Sequence, residues 1–102
     1  MKEYDKLIRD KIPEIIQESG RRCVVELLSD EDFLLYLNRK LLEEVNEYLE
    51  SNDVEELADL EEVLRAILKA KGVDYDAFDQ LRLEKVEKRG AFDKKLLLKE
   101  TE

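Results

Sequence analysis

Apolar residues recur at helical spacing through the middle of the chain. With successive residues about 100° apart, Phe33, Leu34, Leu37, Leu41, Val45, Tyr48 and Leu49 gather on one broad stripe. A second stripe follows in Leu57, Leu60, Val63, Leu64, Ile67 and Leu68. Ser29-x-x-Asp32 has the form of a capping box, so a long helix is predicted from there to about Ser51. Its successor is predicted from Val54 to Lys71, where Gly72 supplies the stop. Only Ser51-Asn52-Asp53 lies at the junction, which predicts an antiparallel helical hairpin.

The flanks predict shorter elements. A first helix would begin near Tyr4 or Lys6, or near Ile12-Pro13, and end at Ser19 before Gly20. Proline disfavours helical geometry in the residue before it, which favours the later start, with Tyr4 to Lys11 as an ordered lead-in. Arg22 to Leu28, with Val24 and Val25, reads as a short strand. A last helix is predicted from Asp74 or Asp76 to Arg89, burying Phe78, Leu81 and Val86 and stopped by Gly90. The tail from Phe92 to Lys99 reads as extended and would pair near Val24. The fold class is therefore mainly α: a hairpin-based helical bundle with a small antiparallel β element from residues near 22–28 and 92–99. At 102 residues the chain suits a single domain, 1–102, with a modest core. Its two wide apolar faces exceed what one such chain covers, so a homodimer or higher homo-oligomer is expected to complete the bundle.

Four acids interrupt the apolar pattern. Glu44 falls inside the first stripe and Glu47 at its edge, whereas Glu43, Asn46 and Glu50 point away. Glu56 falls within the second stripe, and Asp59 at its margin beside Ala66 and Ala70. Each pair is spaced i, i+3, which places both members on one helical face. In an antiparallel hairpin, residues at equal depth share one sum of residue numbers. Glu44 with Asp59 gives the same sum as Glu47 with Glu56, so all four would meet at one height. Carboxylates gathered there repel one another, raise one another's pKa, and invite a hard divalent cation. The bland reading is that Asp53-x-x-Glu56 or Asn52-x-x-Glu55 is a capping box, and that an acid-rich chain offers such pairs by chance. Glu61 also lies on the apolar side, beside Val54 and Leu68, with no role assigned.

Composition narrows the chemistry. Asp and Glu number 27 against 18 Lys and Arg, a net charge of −9, which argues against nonspecific binding to nucleic acid or an anionic membrane. Histidine is absent and Cys23 is the only cysteine, so no intrachain disulfide and no zinc set can form. Cys23 reads as a small apolar side chain in the strand. Any metal would be held by oxygen, which points to Mg²⁺, with Mn²⁺ as the alternative. The opening Met1-Lys2-Glu3-Tyr4-Asp5 lacks an apolar signal core, so the expected location is cytoplasmic. Positive charge concentrates in Lys6-Arg9-Lys11 and in Arg82-Lys85-Lys88-Arg89. Arg82, Lys85 and Arg89 make one helical stripe that could meet a triphosphate, or could serve only solvation and salt bridges to acids such as Glu84 and Glu87.

These residues match a known pattern. Lys40-Leu-Leu-Glu43-Glu44-Val-Asn-Glu47, followed by Glu56-Leu-Ala-Asp59, resembles the EExxE…ExxD signature of MazG-type all-α nucleoside triphosphate pyrophosphohydrolases. The superfamily includes phosphoribosyl-ATP pyrophosphohydrolase. The opening Tyr4-Asp-Lys-Leu-Ile-Arg-Asp-Lys-Ile-Pro13 and the closing Lys88-Arg-Gly-Ala-Phe92 resemble its short, stand-alone house-cleaning branch. The resemblance implies Mg²⁺-dependent attack of water on the α–β phosphate linkage, giving a nucleoside monophosphate and pyrophosphate. It implies Glu44, Glu47, Glu56 and Asp59 as metal ligands and Glu43 as auxiliary. With no histidine the base would be a carboxylate, and Glu47, beside Glu44, is the expected choice. The expected substrate-binding set is Lys6, Arg9, Lys11, Lys40, Arg82, Lys85 and Arg89. Only the eight residues 48–55 separate Glu47 from Glu56, shorter than the usual spacing, so the resemblance does not carry base selectivity. The competing readings are phosphoribosyl-ATP cleavage and a non-catalytic acidic helical interaction module.

Overall fold

The computed structural model of the protein describes residues 4–102; the reading of Met1 to Glu3 as non-leader sequence lies outside them. Four helices follow one another: α1 (Ile12–Glu18), α2 (Asp30–Ser51), α3 (Val54–Ala70) and α4 (Tyr75–Arg89). α1 starts at the later of the two expected positions, with Pro13 in its first turn, where a missing N–H costs no helical bond. Ser29, Asp53 and Asp74 cap the other three, accepting from the backbone N–H groups of Asp32, Glu55 and Ala77. Each cap satisfies a donor that the helix itself cannot.

The hairpin turns on Asn52, whose φ of 55° and ψ of 23° lie in the left-handed region. Asparagine tolerates that region better than other side chains with a Cβ. Its N–H donates to the Tyr48 carbonyl at 2.7 Å, closing α2, and Asp53 opens α3 at once. The Asp53 N–H goes to Ser51 Oγ at 3.1 Å. Glu56 is therefore not needed for a reciprocal capping box, and its carboxylate is available elsewhere.

Leu37, Val63 and Ile67 form the core between α2 and α3, with Phe33, Leu34, Leu41, Ala66 and Leu7 packed against it. Leu7 belongs to the lead-in, which lies along the hairpin and is tied down by Tyr36 Oη donating to Asp5 Oδ1 at 2.9 Å. α4 meets α3 near the Gly72 turn. There Tyr75 Oη donates to Glu61 Oε2 at 2.9 Å, Arg65 Nε donates to the same oxygen at 3.0 Å, and the Arg65 guanidinium lies 3.9 Å from the centre of the Tyr75 ring. Glu61 thus anchors α4 to α3.

Two expectations are corrected. Among the described residues there is no strand, and the stretches near 22–28 and 92–99 do not pair. Val24, Leu27, Phe92 and Leu96 to Leu98 remain exposed. β-branched residues favour extended backbone, but a strand needs a ladder partner, and neither stretch finds one among the described residues. Cys23 is accordingly half-buried outside any strand. In α4, Phe78 is half-buried whereas Leu81 and Val86 are exposed, because the helix touches α3 chiefly at its beginning.

Candidate metal centre

Helix geometry brings the acids of both hairpin arms together. Single carboxylate oxygens of Glu44, Glu56 and Asp59 all lie within 4.8 Å of one another, and so do those of Glu43, Glu44 and Glu47. Glu44 belongs to both sets and links them. Oxygens on opposite sides of a bound Mg²⁺ lie about 4.2 Å apart, given Mg–O distances near 2.1 Å. The cluster is thus close to the required span without rearranging a helix.

Burial is uneven. Glu44 is 5% exposed, the one buried polar or charged side chain among the described residues. Its Oε2 has no hydrogen-bond partner, and Lys40 Nζ lies 3.6 Å from Oε1. A buried acceptor without a partner is unfavourable, and native structures retain few of them. Burial pushes the Glu44 carboxyl above its ordinary pKa, the neighbouring Glu47 and Asp59 carboxylates push it further, and Lys40 opposes them. Glu56 is raised as well, by desolvation first and then by Glu47, Asp59 and Asp53. Mutual elevation across two helices is the electrostatic signature of acids held together against their repulsion.

The basic residues divide sharply. Arg9 Nη2 donates to Asp59 Oδ1 at 2.7 Å, Lys6 Nζ lies 3.4 Å from Glu43 Oε1, and Lys40 Nζ lies 3.5 Å from Glu43 Oε2. The lead-in therefore delivers two cations to the acids, while Lys40 arrives from α2. Arg82 pairs instead with Asp79 on its own helix at 2.8 Å, and among the described residues Lys11, Lys85 and Arg89 have no ion-pair partner. Sequence reasoning gave Glu43 an auxiliary place, and the structure sets it inside the cluster, bridging Lys6 and Lys40.

An all-oxygen donor set with one orphaned, buried carboxylate oxygen suits a hard divalent cation such as Mg²⁺ or Mn²⁺. Glu44, Glu47, Glu56 and Asp59 would hold it.

No protein-family model matches the chain. A relative from Mycolicibacterium smegmatis (strain ATCC 700084 / mc(2)155), described as an uncharacterized protein, is 50% identical over 42 residues, which are 41% of this chain and 43% of that protein. The match thus spans less than half of either chain. No solved structure matches.

Proposed function

We propose that the protein is a Mg²⁺-dependent nucleoside triphosphate pyrophosphohydrolase that cleaves the α–β phosphate bond to release a nucleoside monophosphate and pyrophosphate. The observation that carries this reading is the convergence of acids from α2 and α3 on Glu44, whose buried Oε2 lacks a partner. The likeness of Glu43-Glu44-x-x-Glu47 and Glu56-x-x-Asp59 to the MazG-type signature supplies the reaction class. A bound Mg²⁺ would neutralise phosphate charge and lower the pKa of water. In this scheme Glu44, Glu47, Glu56 and Asp59 would hold the ion, and Glu47 would take the proton of the attacking water on its second carboxylate oxygen. Lys6, Arg9 and Lys40, already beside the acids, stabilise charge on the departing pyrophosphate by exchanging carboxylate partners for phosphate oxygens. The proposed setting is the cytoplasm, with house-cleaning of non-standard nucleotides as the role. Among the described residues no helix is long and apolar enough to cross a membrane. The exposed apolar surface supports a homo-oligomer.

A second reading rests on the same ion pairs. Arg9, Lys6 and Lys40 already neutralise part of the cluster, which would let the acids serve as a purely structural network in an interaction module. Incubation with a panel of standard and damaged nucleoside triphosphates, with Mg²⁺ or with chelator, separates the readings. Pyrophosphate as the product supports the enzyme, orthophosphate refutes the bond assigned, and no Mg²⁺-dependent product from any nucleotide leaves the structural network.

A further inference from the structure

α2 carries two seams at heptad spacing, and only one is filled. Leu34, Leu37, Leu41, Glu44 and Tyr48 follow the 3-4 alternation of the first; Leu34, Leu37 and Leu41 lie in or against the core shared with α3, and Glu44 is buried. Leu35, Asn38, Leu42, Val45 and Leu49 follow the same alternation one residue later. Among the described residues the leucines of this second seam are largely uncovered, Leu35 at 48% exposed, Leu42 at 62% and Leu49 at 64%, while Val45 is half-buried.

The size of the uncovered surface is not that of a finished monomer. A compact protein of 12.1 kDa exposes about 6,000 Å², whereas this chain exposes 9668 Å². Its radius of gyration is 18.1 Å, against about 13 Å for a compact domain of this length. Part of the excess lies on the unpaired stretches near 22–28 and on the tail. A standard interface needs about 800 Å² from each partner.

We propose that this seam is the self-association surface of the protein, packing α2 antiparallel against α2 of a second copy about a twofold axis through Leu42. The proposal deepens the homo-oligomer reading above by naming the surface and its symmetry. The leucines of the seam are symmetric about Leu42, with Leu35 and Leu49 seven residues to either side, while Val45 falls level with the partner's Arg39. In the antiparallel pair Leu35 meets the partner's Leu49, Leu42 meets the partner's Leu42, and Asn38 lies level with the partner's Asn46, amide beside amide. Such self-complementarity is what an isologous contact requires. A parallel pair would also match leucine with leucine, but it would set Asp30, Glu31 and Asp32 of both first turns side by side and align the helix dipoles. Antiparallel packing holds those acidic turns about 33 Å apart, at 1.5 Å per residue. The seam also lies about 140° around α2 from Glu44, so the acid centre stays open on the far flank.

The test uses the full chain with Cys23→Ser and single cysteines at seam positions. The mass in solution is expected to be twice 12.1 kDa, falling to 12.1 kDa in Leu42→Glu, which sets two carboxylates against each other on the axis. Under oxidation Leu42→Cys is expected to cross-link to itself. Leu35→Cys alone should not, because its two copies lie about 21 Å apart along the axis, yet a mixture of Leu35→Cys and Leu49→Cys should link. A monomeric parent chain overturns both the oligomer and the seam. A dimer that persists in Leu42→Glu, or that links Leu35→Cys to itself, overturns the seam while leaving the oligomer standing.

Discussion

Replacing Glu44 with Gln should reverse sign with Mg²⁺. The side chain keeps its volume, loses its charge, and gains an amide that can donate to Glu47. A buried acceptor without a partner costs about 1–3 kcal/mol, and only Oε2 of Glu44 is in that position, because Lys40 lies 3.6 Å from Oε1. Losing the i, i+4 attraction to Lys40 subtracts about 0.3–0.5 kcal/mol. The expected gain in metal-free stability is therefore about 1 kcal/mol, or 4–8 °C in Tm for a domain of this size. With Mg²⁺ at one hundred times its Kd, the parent protein should gain about 2.7 kcal/mol that the variant lacks. Melting curves by circular dichroism, at one protein concentration, should show Glu44→Gln above the parent in chelator and below it in Mg²⁺. A variant that melts lower in chelator, or that gains as much from Mg²⁺ as the parent, refutes the reasoning.

Further expectations follow from the same site and its supports. Asp59→Asn should abolish Mg²⁺-dependent turnover with helicity retained, and the charge lost opposite Arg9, whose Nη2 donates to Asp59 Oδ1 at 2.7 Å, should leave the lead-in more open to proteolysis; a variant with full turnover removes Asp59 from the ligand set. Glu44 and Glu56 have folded-state pKa values above the ordinary 4.5, so their stabilising contribution is complete below that pH and is lost as pH rises through the elevated values. Metal-free Tm differences between parent and Glu44→Gln should accordingly widen from about pH 4.5 upward, and Mg²⁺ should recover more Tm over the same interval because it competes with protons; a difference independent of pH counts against the elevated carboxyls. Tyr75→Phe removes the hydroxyl that reaches Glu61 while keeping the ring under Arg65, and should lower Tm by a few degrees and speed amide exchange in α4 before α3. Equal protection in both helices would show that the anchor does not hold α4.

Local chemistry made most of the helices legible. Ser29, Asp53 and Asp74 announce starts through side-chain oxygens, and Gly20, Gly72 and Gly90 adopt the positive φ that ends or leaves a helix. The acid cluster was legible because one hairpin with a tight turn converts sequence symmetry into equal depth. Contacts across longer separations carried no such signal. Glu61 gives no hint of its role until Tyr75 is brought round the Gly72 turn, and Tyr36 gives none of Asp5. Val24, Val25 and the leucines at 96–98 read as strand because extended backbone suits them, yet pattern alone cannot supply a pairing edge. Basic stripes were the least informative, since Lys6 and Arg9 reach the acids while Arg82 is held by Asp79; spacing along a helix says which charges share a face and not what that face meets.

Surface joints usually accept added residues without consequence. The joint at Asn52 and Asp53 is different, because it sets the phase of one rod against the other. One residue inserted there would spin α3 by about 100° and slide it by about 1.5 Å, carrying Glu56 and Asp59 off the side that faces Glu44. Variation at this joint should therefore be by exchange, with glycine or aspartate standing in for Asn52, and never by length.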